Sequence, residues 1–218
     1  AQYLTANNLK LLLPMPDIST KRGRRDLVLL TVLYDTAARV SELVDICIRD
    51  VRLDAPAVIT LHGKGGKIRS VPLMKQTVEL IRAYFAENNI NSQFHFDMPL
   101  FWNAHGQKLT RSGVTYILRK YIEMAQEISP RMPSNITPHK LHHTKAMHLV
   151  QANVNSVYIK DFLGHADIST TEFYTGQITK QRGLHWKRLR NISACTLFRI
   201  GNRTLNSLTG SRPSAKHF

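Results

Sequence analysis

One change of hydrophobic period limits the folds open to this chain more than any other feature. Along most of its length apolar residues recur three and four apart, the spacing that turns one helix face toward a core. Between Val58 and Leu73 the spacing switches. Val58-Ile-Thr-Leu-His62 and Ile68-Arg-Ser-Val-Pro-Leu73 read as strands, and Gly63-Lys-Gly-Gly66 between them reads as a hairpin turn. Strands joined by so short a turn can pair only antiparallel. The expected class is therefore mainly α with a small antiparallel β-sheet (α+β).

The helical segments are Leu4 to Leu13, ended by Pro14 and Pro16, then Arg25 to Ala37, and Ser41 to Ile48 with Ser41 as its cap. Beyond the hairpin come Gln76 to Asn88, Ser112 to Ile128, His139 to Ala152 and Val154 to Leu163, with Pro130, Pro133 and Pro138 punctuating a loop. At 218 residues and 43% hydrophobic content, one substantial core is expected, placed in residues 1–181, with residues 182–218 as a basic tail lacking a sustained helical period.

The longest apolar stretch, Leu27 to Tyr34, is far short of the roughly 20 residues a membrane span needs, and no secretory leader opens the sequence. Two cysteines, Cys47 and Cys195, form no zinc pattern and suit a reducing compartment, so a cytoplasmic protein is the expectation. Thirty Lys and Arg against fifteen Asp and Glu give a net charge of +15, a field that attracts polyanions. No acid follows Glu172, so much of that excess belongs to the tail.

Four short segments carry the chemistry. Ala38-Arg39-Val40-Ser41-Glu42-Leu43 puts an arginine at a helix entrance, where it could serve a ligand or simply pair with Glu42. The hairpin presents Lys64 and Lys67 in a turn, where lysines are ordinarily solvated. Thr137-Pro-His-Lys-Leu-His-His143 sets three histidines on the first turns of a helix, and Leu163-Gly-His-Ala-Asp-Ile-Ser-Thr-Thr-Glu-Phe-Tyr174 ends in a tyrosine.

In this order and at these spacings the segments resemble the tyrosine recombinases, the phage integrase family, over about Leu4 to Gly176. The resemblance implies a site-specific recombinase that cuts and rejoins double-stranded DNA through a 3′-phosphotyrosyl bond. Tyr174 matches the nucleophile, Arg39 the first of two phosphate-clamping arginines, Lys64 the general acid, and His139 and His165 the histidines that contact the scissile phosphate or manage protons. It also implies no metal and no other cofactor, since one phosphodiester is exchanged for another. A homotetramer on two duplexes is implied too, as is a helical domain ahead of this one that closes a DNA clamp.

One position departs from the pattern. Where the family has its second arginine, this chain has His142. An imidazole offers at most two ring donors in place of five and is mostly neutral at pH 7, while one lost donor at a developing charge typically costs about 10²–10³ in rate. Impaired cleavage is expected, with Lys145 one turn later as a partial substitute. Two other readings stand beside it. One is a DNA-binding or regulatory relic whose tyrosine is unused; the other is a metal site built from His139, His142, His143 and His165.

Overall fold

Around one buried helix the rest of the chain is arranged. The computed structural model describes residues 3–164. In it the longest apolar stretch of the sequence lies in α2, Lys21–Asp35, buried on every side from Asp26 onward. A helix apolar all round belongs in a core. Thr20 starts it, its hydroxyl accepting from the Gly23 amide at 2.9 Å. Gly23 has no substitute there, because a Cβ would sit 1.8 Å from the Asp17 carbonyl oxygen.

The elements before and after α2 are α1, Ala6–Leu12, and α3, Val40–Asp45. A 3-10 turn at Ile48–Asp50 leads into β1, Val51–Arg52, followed by β2, Val58–His62, and β3, Ile68–Pro72. The sheet order is β1-β2-β3, antiparallel throughout, with Ile59 opposite Val71 and Leu61 opposite Arg69. Ile59, Leu61 and Val71 are buried. Cross-strand partners share a face, so Arg69 lies on the inward side of the sheet.

Four further helices complete the described chain: α4, Lys75–Glu87; α5, Arg111–Ile128; α6, Pro138–Gln151; and α7, Ser156–Leu163. Helices α4 and α6 pack on α2, α3 packs on α5 and β2, and α7 packs on α6 and β3. One apolar cluster runs from Leu4 through α2, the sheet and α5 to Leu141, and a second joins Ala37 to Met147, Val150, Ile159 and Leu163.

The expected class holds, mainly helical with one small antiparallel sheet. Three local readings are corrected. Ser41 lies inside α3 rather than capping it: the N-cap position is Arg39, whose backbone N–H donates to Glu42 Oε2 at 2.7 Å. That helix stops at Asp45, well before Ile48. The two-residue strand β1 carries too few residues for alternation to reveal it. Among the described residues, no helix is long and apolar enough to cross a membrane.

Candidate active site

The start of α3, the hairpin turn, the start of β3 and the end of α7 meet around an open groove of about 810 Å³, lined among others by Arg39, Glu42, Lys64, Lys67, Arg69, Lys160 and Asp161. Lys64 and Lys67 stand exposed on the turn, which Gly65 and Gly66 make possible at φ 74° and 72°, in the left-handed region side chains avoid. Five of these residues are cationic and two, Glu42 and Asp161, are acidic.

Glu42 organises the groove wall. Its side chain is 2% exposed and takes Arg39 Nη1 at 2.8 Å together with the Arg39 backbone N–H. On the other side Arg69 donates Nη1 to Oε1 and Nη2 to Oε2, both at 2.8 Å. Burial would raise the Glu42 carboxyl, but the bonds from Arg69 and from the Arg39 backbone outweigh it and hold its pKa below the ordinary value. The carboxylate stays ionised. Arg39 keeps 41% of its side chain exposed toward the groove, whereas Arg69 is 12% exposed. Arg69 also donates Nε to the Phe162 carbonyl at 3.0 Å.

The histidines are set by α6. Thr137 caps this helix through the Lys140 amide, and Pro138 occupies its first turn, where a missing N–H costs nothing. His139 is exposed and His143 partly buried, with their Nε2 atoms 2.7 Å apart. One ring must donate and the other accept, so the pair as placed is not doubly protonated. Burial first, then the neighbouring His139, lowers the pKa of His143. His142 is turned elsewhere: it is 2% exposed, and its Nδ1 lies 2.6 Å from the Ala37 carbonyl oxygen. A carbonyl only accepts, so that nitrogen carries the proton. Ala37 is in the link between α2 and α3, at a left-handed φ of 46°, two residues from Arg39 in sequence.

The structure thus brings Arg39 and Lys64 to one groove and ties His142 to the link beside it, with the His139 ring stacked 6.3 Å from that of His142. His165 and Tyr174 lie outside the described residues. Gly164, the last described residue, lines the groove, and its carbonyl oxygen is 3.4 Å from Arg39 Nη2. Lys145 does not stand in for a clamping arginine here. It is buried, and its Nζ lies 3.5 Å from Asp35 Oδ1. Among the described residues, no three His, Cys, Asp or Glu side chains are grouped to hold a metal ion. Sequence reasoning missed Arg69. The alternation of β3 contained the signal, since it puts Arg69 on the same side as buried Val71, where a charge demands a partner.

Comparison with known proteins places this arrangement. The profile of the "Phage integrase family" matches residues 2–181. The tyrosine recombinase XerD of Staphylococcus haemolyticus is 36% identical over 167 residues, covering 75% of this chain and 54% of that protein. XerD of Listeria innocua is 38% identical over 183 residues, covering 83% and 59%. The chain therefore spans a little over half the length of these curated relatives. Among solved structures, XerA recombinase superposes with a TM-score of 0.67 at 26% identity, covering 91% of this chain and 64% of that one. XerH site-specific recombinase, in a post-cleavage complex with palindromic difH substrate, has a TM-score of 0.66 at 24% identity, covering 82% and 50%, which speaks for the fold alone.

Proposed function

The chain belongs to the phage integrase family, the tyrosine recombinases, and from that premise we propose that it is the catalytic domain of a site-specific DNA recombinase working at reduced rate. The observation that carries this is the groove itself: a part-exposed arginine, paired on its inner side with a buried carboxylate, beside a lysine-bearing turn. In the proposed reaction the Tyr174 oxygen attacks a backbone phosphorus, forming a 3′-phosphotyrosyl bond as the bond to the 5′-oxygen breaks. Lys64 gives its proton to that leaving oxygen. Arg39 binds phosphate oxygens as charge develops on them, a task suited to its planar fork of donors, and His139 and His165 contact the same phosphate or take up the proton that the Tyr174 phenol releases. The exchange of one phosphodiester for another calls for no ATP, metal or other cofactor.

His142 is the weak member. Its Nδ1 is committed to the Ala37 carbonyl, and it lacks the reach and standing charge of the arginine the family has there. Double-stranded DNA is the proposed partner and a homotetramer the proposed assembly; residues 1–181 form the catalytic domain and residues 182–218 a basic tail. A cytoplasmic location is part of the same proposal. What supports a DNA partner is the cationic groove and the sequence likeness to the XerD tyrosine recombinases.

A nicked suicide duplex that traps the covalent adduct tests the reading. The native chain should give a slow Tyr174-dependent adduct, and His142→Arg should raise its yield at least tenfold, within the roughly 10²–10³ typical of one oriented donor. The burial of His142 favours a second reading, a DNA-binding relic of an integrase. Duplex binding without any adduct, in the native chain and in His142→Arg alike, would establish the relic and remove the enzyme.

A further inference from the structure

One carboxylate between two guanidiniums leaves a question that the proposed chemistry does not answer, namely what Arg69 is for. Glu42 accepts from Arg39 through both its backbone N–H and Nη1, and from Arg69 through both of its oxygens. The cluster holds two cations for one anion, so one positive charge is left over. It resides on the more exposed partner, Arg39. We propose that Arg69 is a positioning residue, a counter-charge that occupies the Glu42 carboxylate so that Arg39 keeps its charge and donors for a phosphate; this rests on reading the groove as a phosphate site.

A buried carboxylate that loses one partner must find another. At 2% exposure Glu42 cannot satisfy its oxygens with water. Without Arg69 the nearest donors are those of Arg39, whose long side chain can swing to a two-pronged grip on both oxygens, the strongest arrangement open to such a pair. Arg39 would then be neutralised and turned inward. Arg69 prevents this because it is itself immobilised. Its inward position on β3 opposite Leu61, its Nε bond to Phe162 and its packing against Gly164 all fix the guanidinium. The last contact is tight: a Cβ on Gly164 would meet Arg69 Nη1 at 2.8 Å, at a backbone φ of 65°.

A plain strut between β3 and α7 would make many of the same contacts, so the test must separate counter-charge from scaffold. The full chain is compared with Arg69→Met, Arg69→Lys and the double variant Arg69→Met with Glu42→Gln, reading the salt dependence of affinity for a duplex oligonucleotide. Arg69→Met should flatten the slope of log affinity against log salt by about one unit, the loss of one phosphate contact. Arg69→Lys, which keeps the charge, should retain most of the slope. The double variant should recover the native slope even though its melting temperature is lower, because without the carboxylate nothing captures Arg39. An unchanged slope in Arg69→Met, or one that stays flat in the double variant, overturns the proposal. If Arg69→Met does not fold, Glu42→Gln alone decides: a slope as steep as native supports the counter-charge, and a flatter one refutes it. A native chain that binds no duplex sinks the phosphate reading of the groove. The Arg69 inference is then decided by NMR of the guanidinium protons of Arg39, whose solvent exchange should slow in Arg69→Met and does not if Arg69 is only a strut.

Discussion

Two buried acids stand at either side of the link between α2 and α3, and they are treated in opposite ways. Asp35 closes α2 with its side chain 5% exposed; its Oδ1 lies 3.5 Å from Lys145 Nζ and its Oδ2 accepts the Thr77 hydroxyl at 2.7 Å. Lys145 is sealed in with it, its side chain 6% exposed and its ammonium 4.5 Å from the centre of the Tyr34 ring. Glu42, in α3, also has a cation on the inner side but a second one facing the groove. The first is a one-to-one pair closed off from solvent, and in the proposed reading the second leaves a charge for a phosphate. A basic residue near a site is useful only when some of its charge remains after the protein's own acids have been paired, and for that reason Lys145 is no replacement for a missing arginine.

The largest expected effects test that contrast directly. Lys145→Met leaves Asp35 as a buried anion without its cation and should cost about 3–5 kcal/mol of stability, read from urea denaturation at pH 7. The duplex affinity of the molecules still folded should not change. Arg39→Ala should do the reverse. Because Glu42 keeps both bonds from Arg69 and the Arg39 side chain is 41% exposed, the stability cost should be small, about 1 kcal/mol, while adduct formation should fall by about 10²–10³ if Arg39 binds the transferring phosphate. A large loss of stability with normal cleavage would invert the roles assigned to the two clusters.

Next comes a pH effect that belongs mainly to the sealed side. His148 is buried beside Lys145, with Nδ1 2.7 Å from the Tyr34 hydroxyl. Burial drives the Tyr34 phenol well above its usual range, so it stays protonated and donates. Burial first, and then Lys145, pull the pKa of His148 from 6.5 down to about 4. A histidine depressed in the folded state contributes its full stability above the unfolded pKa and loses it as pH falls, so the loss runs from about pH 6.5 toward pH 4 and amounts to roughly 3 kcal/mol. His143, also depressed, adds in the same direction. The Glu42 clamp weakens only at lower pH, since its pKa lies below the carboxylate norm. Denaturation at pH 7.5 and pH 4.5 should show a much smaller difference in His148→Leu than in the native chain, and equal differences would remove His148 as the cause.

How much of this was legible in the sequence depends on whether the deciding partner is near or far. The hairpin and most of the helices follow from period and turn chemistry, which are local, and the structure reproduces them to within a few residues. The Arg39 cap was misread by a short distance only. Ser41 is a favoured capping residue, but Glu42 reaches back to the Arg39 amide and sets the start of α3. The fate of Lys145 was out of reach, because Asp35 is 110 residues away in the chain and nothing in the period of α6 announces it. The same holds for His142, whose carbonyl partner Ala37 is 105 residues distant. Arg39 and Lys64 were found by their motifs and do share a groove, while His165 and Tyr174 lie outside the described residues.

The smallest effect uses α6, which reaches the sealed pair and the link beside the groove. Helix α6 carries His142 toward Ala37 near its start and Lys145 toward Asp35 a turn later. Its first turn depends on Thr137, whose hydroxyl accepts the Lys140 amide at 3.3 Å. Thr137→Ala should cost about 1 kcal/mol, as loss of a cap does. The cost should be local. Frayed helix ends open on their own without dragging the packed turns behind them, so amide exchange should quicken at Lys140 and Leu141 while Met147 and His148, beyond the Asp35 pair, keep their native protection. The pair would then act as the pin that isolates the core from motion at the groove. Exchange rising equally along the whole of α6 would show that the sealed and open clusters share one cooperative unit, and the contrast between them would be one of charge alone.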